Sequence, residues 1–152
     1  MTNDQINHPK HYQTADGIEA IDVLEQYGLG LHLGTAMAHL LRAGKKHSET
    51  EREDVEKARW WVKRWLVFEY CPGVAIPEAS DDAAGGLAWR TPEQIADAFG
   101  LDGARRDAVC DILEAAAFGD ETERVTEALH WINEDIERLT VAALPRAYMA
   151  SA

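Results

Sequence analysis

Arg42, Lys45 and Lys46 surround Gly44 at the end of one helical pattern, and Asp54 and Lys57 lie one turn apart near the start of the next. Cations and a carboxylate at a helix junction could handle phosphate, with Arg42 as a bidentate fork and the lysines as point charges. The sequence offers no ready-made phosphate loop. Gly44-Lys45 has its nearest upstream glycine, Gly34, ten residues away, and Lys46 stands where a P-loop has a hydroxyl. Gly-x-Gly-x-x-Gly and His-Glu-x-x-His are both absent. A phosphate site must therefore be built from side chains and helix ends. The competing reading is that cations at a helix C-terminus only complement the macrodipole, where removing one costs a few tenths of a kcal/mol.

Other side chains could join such a site. In the segment "NHPKHYQ", His11 could act as acid or base near neutral pH, and Tyr12 could stack on a base or bond a phosphate. His32 and His39 share the polar stripe of the helix that ends at Arg42. Glu19-x-x-Asp22 and Glu51-x-x-Asp54 pair carboxylates on helical faces, which could hold Mg²⁺ if the two helices faced each other. Exposed acids at such spacing are commoner than metal sites.

The chain of 152 residues carries 15 Lys+Arg against 27 Asp+Glu, a formal charge of -12. Residues 42 to 64 nevertheless hold eight cations against five acids, so this window is +3 and the remainder -15. Duplex DNA and anionic membranes are poor partners for such a surface, whereas a small anion fits a local positive pocket. Glu49, Glu51, Glu53 and Glu56 interleave with the cations at helical spacing, so a salt-bridged helix face is the other explanation. A chain of this length buries roughly 70% of its unfolded surface without staples. Cys71 and Cys110 are its only cysteines and do not form a Cys-x-x-Cys pair. A reduced cytosolic setting is expected, with no membrane span or signal region.

The elements that must position these residues are all helical. A first helix is expected from Asp16 or Gly17 to Gly28, with Ile18, Ile21 and Leu24 as its apolar stripe. A second runs from His32 to Ala43 with Leu33, Ala36, Met37, Leu40 and Leu41 inward. A third, from Thr50 to Tyr70, buries Val55, Ala58, Val62, Trp65 and Leu66 and carries Asp54, Lys57, Trp61 and Arg64 as a mixed stripe beside them. Of the adjacent Trp60 and Trp61, one at most can point fully inward. Residues 71 to 90 have no sustained period and read as a linker or long loop. Helical patterns resume with Thr91 as N-cap and Pro92 at the first helical position, ending near Phe99, and continue over 102–118 and 122–139.

The fold expected is an all-α helical bundle: a unit of three helices with its arm (1–70), the linker or long loop (71–90) and a helical C-terminal half (91–152). That half reads as a worn copy of the first. Tyr27-Gly28-Leu29 and Leu40-Leu41-Arg42-Ala43 recur 72 positions on as Phe99-Gly100-Leu101 and Ile112-Leu113-Glu114-Ala115. After a deletion of two, Val55, Ala58, Trp61 and Val62 match Val125, Ala128, Trp131 and Ile132. The apolar positions survive and the basic ones do not, so a structural or self-associating role is expected for this half, with a homo-oligomer as the assembly.

Asn7-His8-Pro9-Lys10-His11-Tyr12, Gly17-Ile18-Glu19-Ala20-Ile21-Asp22, Leu33-Gly34-x-Ala36, Arg42-Ala43-Gly44-Lys45-Lys46 and Glu53-Asp54-Val55-Glu56-Lys57-Ala58 run collinearly over about residues 6 to 66. In this they resemble the small phage-encoded SaV-like family, some of whose members are nucleotide kinases acting on deoxynucleoside monophosphates. The resemblance implies phosphoryl transfer in the cytoplasm of an infected host cell. His11, Asp54 and Lys57 would then be catalytic, and Tyr12, Glu19, Asp22, His39, Arg42, Lys45 and Lys46 would bind the substrate. Mg²⁺ is the one cofactor the carboxylates could take, although no metal ligand set is assigned. Two alternatives stay open: an all-α nucleoside triphosphate pyrophosphohydrolase, and a nucleotide-sequestering protein without turnover.

The charge segregation predicts binding of nucleoside phosphates and not of duplex DNA. Calorimetry at moderate salt against both checks this, and duplex binding without nucleotide binding would overturn it.

Overall fold

The computed structural model describes residues 9–46, 50–68, 90–119 and 121–145. Among the described residues, six α-helices follow a 3₁₀ turn at Lys10–Tyr12: α1 (Ala20–Gln26), α2 (Leu31–Arg42), α3 (Glu51–Phe68), α4 (Pro92–Ala98), α5 (Gly103–Phe118) and α6 (Glu121–Ala142). Among the described residues there is no strand, only an isolated bridge between Gln13 and Glu19. The protein is an all-α bundle, as its periodicities predict. No described helix is long and apolar enough to cross a membrane.

Two helical hairpins, α2–α3 and α5–α6, pack on each other chiefly through α3 and α6, while α1 lies on α2 and α4 on α5. The inward residues keep helical spacing: Ala36, Met37, Leu40 and Leu41 from α2, Val55, Ala58 and Val62 from α3, Val109, Ile112 and Leu113 from α5, and Val125, Ala128 and Ile132 from α6. Burying each of the larger aliphatic side chains contributes roughly 1.5–3 kcal/mol relative to leaving it in water. Thr50 and Glu53 close a reciprocal cap at the start of α3, with the Glu53 amide donating to Thr50 Oγ1 (3.2 Å) and the Thr50 amide to Glu53 Oε2 (2.9 Å). Thr91 and Gln94 do the same for α4.

The ends of α1 and α4 are built alike. Gly28 and Gly100 have φ of 61° and 68°. The Leu29 amide donates to the Leu24 carbonyl at 3.0 Å and the Leu101 amide to the Ala96 carbonyl at 2.9 Å, the six-to-one bond of a Schellman turn in each case. Tyr27 and Phe99, one residue earlier, are both buried. The Tyr27 hydroxyl donates to the Arg90 carbonyl at 2.6 Å, which ties the start of the second half to the end of α1.

Three expectations need correction. The first helix begins at Ala20, not at Asp16 or Gly17, because the Ile18 amide donates to Thr14 Oγ1 and the Thr14 amide to the Ile18 carbonyl, closing a turn before Glu19 caps the helix. Ile21 therefore faces outward, 51% exposed, and is not in the buried stripe. Asp54, expected on the mixed stripe beside the buried face of α3, is fully buried. The expected linker at 71–90 lies outside the described residues except for Arg90, as do the last two positions of the third helix.

The matched turns predict matched sensitivities. A side chain with a Cβ in the left-handed region costs about 1–2 kcal/mol. Gly28→Ala and Gly100→Ala should each lower the unfolding free energy in urea by that amount, and an unchanged midpoint for either would show that its turn does not hold the helix end.

Candidate functional site

Arg42 is the last residue of α2 and Asp54 stands in the first turn of α3, so the connection between the helices brings them together. Asp54 has no exposed surface and Arg42 is 8% exposed. Arg42 donates from Nε to Asp54 Oδ1 at 3.1 Å, and its Nη2 lies 3.0 Å from the same oxygen. Its Nη1 donates to the Tyr12 hydroxyl at 2.7 Å, binding the N-terminal arm to the hairpin. His39, one turn before Arg42, completes the group: Nδ1 lies 3.2 Å from Asp54 Oδ1 and 2.9 Å from Arg42 Nη2. Burial lowers the His39 pKa, while its contact with Asp54 acts in the opposite direction. A neutral ring has one proton, so Nδ1 either donates to Asp54 or accepts from Arg42.

The contacts that reach Asp54 all converge on Oδ1. Asp54 Oδ2 is buried and has no hydrogen-bond partner among the described residues. A buried carboxylate oxygen left this way carries a desolvation cost that a ligand donor would relieve. Beside the group, under the arm, lies a cavity of about 360 Å³ lined by Pro9, Tyr12, Glu19, Ala20, Ile21, Leu24 and Ala38. Its volume falls in the range of small-molecule pockets and its lining is mostly apolar. Tyr12 belongs to both features, lining the cavity and accepting from Arg42. The sequence did not reveal this cavity. The usable signal was Glu19-x-x-Asp22 as a capping pair, which starts the helix late and turns Ile21 outward.

The remaining candidates divide. Glu19 and Asp22 form the capping box of α1: the Glu19 amide donates to Asp22 Oδ2 at 2.8 Å, and Glu19 also accepts from Gln13 Nε2 at 2.9 Å. Glu51 turns to Arg105 on α5, with Nη2 at 2.7 Å from Oε1. The two carboxylate pairs thus serve different partners and do not face each other. Lys45 donates to the carbonyls of Leu41 (3.0 Å) and Phe99 (2.9 Å), with its ammonium 5.0 Å from the Phe99 ring centre. His11 packs on Tyr12, ring centres 4.4 Å apart, and its pKa is lowered by burial and then by Arg42 and Lys46. Lys57 is exposed on α3, and its charge is felt at His39. Much of the basic window is internally matched: Arg52 pairs with Glu56, and Arg64 lies over Trp60, which is 56% exposed, and Phe68.

A family of unknown function, DUF3310, matches residues 6–63, from the arm through most of α3, so every candidate residue falls within the matched span. No curated protein and no solved structure matches the chain.

The geometry replaces the small cost expected for removing a helix-end cation. Removing one partner of a buried ion pair costs about 3–5 kcal/mol, whereas replacing both by apolar residues is often neutral. Arg42→Met should destabilise the protein by that amount in urea, and Arg42→Met with Asp54→Leu should recover most of it. Equal stability of wild type and Arg42→Met would show that Asp54 is not a buried charge.

Proposed function

We propose that the N-terminal unit binds a deoxynucleoside monophosphate and transfers a phosphoryl group to it from a nucleoside triphosphate. The observation that carries this reading is the buried Asp54 oxygen that has no donor among the described residues, held by Arg42 beside Tyr12 and an apolar cavity. The resemblance to phage nucleotide kinases over the same residues adds the choice of reaction. In this scheme the base enters the cavity against Tyr12, Asp54 Oδ2 accepts from a substrate hydroxyl, and Arg42, His11, Lys46 and Lys57 face phosphate oxygens. The acceptor phosphate forms a new P–O bond to the transferred group as the β–γ bridge of the donor breaks, giving two diphosphates. Catalysis of this kind is mostly positioning and charge neutralisation, and Mg²⁺ would arrive on the triphosphate.

A second reading is favoured by a specific observation. Arg42 and Lys45 already hold internal partners, which suits a protein that retains a nucleotide without turning it over. Pyrophosphate hydrolysis draws less support, because Glu19 and Asp22 cap α1 while Glu51 and Asp54 pair with separate arginines.

Incubation with each deoxynucleoside monophosphate and MgATP, with products separated by mass, decides between these readings. Diphosphate formation that Asp54→Asn abolishes while binding persists supports the kinase; binding with no product supports the retaining protein; no binding to any nucleotide ends the proposal. The pH dependence has a definite sign. His11 without ligand has a lowered pKa, and a phosphate beside it would raise that value, so binding takes up a proton. Affinity should therefore rise as pH falls from 8 towards 6. Calorimetry in buffers of different ionisation enthalpy reads the uptake directly, and zero uptake would remove His11 from the phosphate.

A further inference from the structure

We propose that each chain holds a single nucleotide site, and that its C-terminal half is a charge-inverted twin serving that site as a clamp on the turn that carries Lys45 and Lys46. The inference rests on the nucleotide-binding reading above and adds to it the number of sites and the part played by residues 91–145.

The twin relation is visible in side chains as well as in turns. The 72-residue shift that takes Gly28 to Gly100 takes Leu41 to Leu113, and the 70-residue shift takes Val55, Ala58 and Val62 to Val125, Ala128 and Ile132, and the aliphatic residues among them are all fully buried. The same shifts take Arg42 to Glu114 and Asp54 to Arg124. Glu114 and Arg124 form an ion pair across α5 and α6, as Arg42 and Asp54 do across α2 and α3, with the signs exchanged. His39 becomes Asp111, which accepts from Trp131 Nε1 at 3.0 Å, and Lys57 becomes Glu127.

These replacements line a groove of about 510 Å³ with Glu93, Asp107, Asp111, Glu114 and Glu127 against Arg106. Five carboxylates facing one guanidinium repel phosphate. The local potential has left its mark on both sides of the molecule. Burial and then Glu93 push the Cys110 thiol up to about 11, and burial and then Glu114 raise Asp111, whereas Arg42 and Lys46 add to the burial that lowers His11.

The second half nevertheless reaches the first site from outside. Lys45, in the turn that follows α2, is held by the Phe99 carbonyl and ring. Glu51, the first residue of α3, is ion-paired with Arg105, Nη2 to Oε1 at 2.7 Å, and Arg105 Nε donates to the buried Asp135 at 2.7 Å, while Arg138 bonds the other Asp135 oxygen. The connection between α2 and α3 is therefore tied to the twin at Lys45 and at Glu51. In the twin, α5 ends at Phe118 and α6 starts at Glu121, a shorter connection than that between Arg42 and Glu51.

Calorimetry of the full chain with each deoxynucleoside monophosphate, and with inorganic phosphate as a control, tests both parts. One site per chain is expected; two would overturn the inference, and none with any probe would remove the nucleotide reading and this inference together. Glu51→Gln gives the clamp a test of sign. Removing a negative charge near bound phosphate should tighten binding by Coulomb's law alone, whereas loosening a positioning contact should weaken it, here by about fivefold or more. Glu51 is partly exposed, so the variant leaves no buried unpaired charge on α3. Equal or tighter binding by Glu51→Gln refutes the clamp. Glu127→Gln, in the groove, should leave affinity and stoichiometry unchanged, and a shift in either would place ligand in the C-terminal half.

Discussion

A carboxylate with no exposed surface is tolerable in a helical bundle only if a cation meets it, and the Asp54–Arg42 pair satisfies that condition. Much else in the N-terminal unit follows from it. Arg42 ends α2 and Asp54 begins α3, so their contact sets how the connecting turn brings the two helices together. The guanidinium faces left over after Asp54 recruit Tyr12 and with it the arm, and the arm roofs the cavity beside α1. His39 is held against the same oxygen, and the other oxygen has no hydrogen-bond partner among the described residues.

The second half bears on how much of that arrangement is structural. Glu114 and Arg124 keep an ion pair at the corresponding place with the charges exchanged, so a hairpin of this plan benefits from some pair there whichever helix carries the cation. The exchanged pair is more exposed, with both side chains about a third or a quarter open to solvent. Among the described residues, what is particular to the first half is therefore the depth of burial of the pair and the tyrosine hydroxyl that Arg42 meets. Arg105 and Asp135 are the reverse case: they stand where the first half has Leu33 and Trp65, and they join the two halves.

The helical architecture was legible because apolar spacing and turn chemistry agreed. Val55, Ala58 and Val62 announced one face of α3, Thr91-Pro92 announced the start of α4, and Gly28 and Gly100 stand where left-handed turns are needed. The correspondence between halves was legible in the same positions. The site was legible as a set of residue types and not as geometry. Asp54 borders the buried face of α3, and nothing local distinguishes a carboxylate that turns inward to meet Arg42, twelve residues earlier, from one that turns outward to water. Glu19 and Asp22 look like ligands by spacing, but the same spacing satisfies backbone amides at a helix start, and that local bond wins. Lys45 was read as a free phosphate contact because its acceptor, the Phe99 carbonyl, lies 54 residues away.

The arrangement as two hairpins also has a bearing on how the chain reaches this structure. Contacts within α2–α3 and within α5–α6 join segments close in sequence, which is the class of contact that forms fastest because little chain must be closed to make it. The α3–α6 contact and the Arg105–Glu51 bridge join distant segments and belong to a later step. Each hairpin would meet its partner already carrying a buried or half-buried ion pair of its own, so the encounter brings together apolar faces whose internal charges have been neutralised. A chain assembled in this order exposes its apolar α3 and α6 faces only for the interval between hairpin formation and docking, and that interval is the period in which it is open to aggregation.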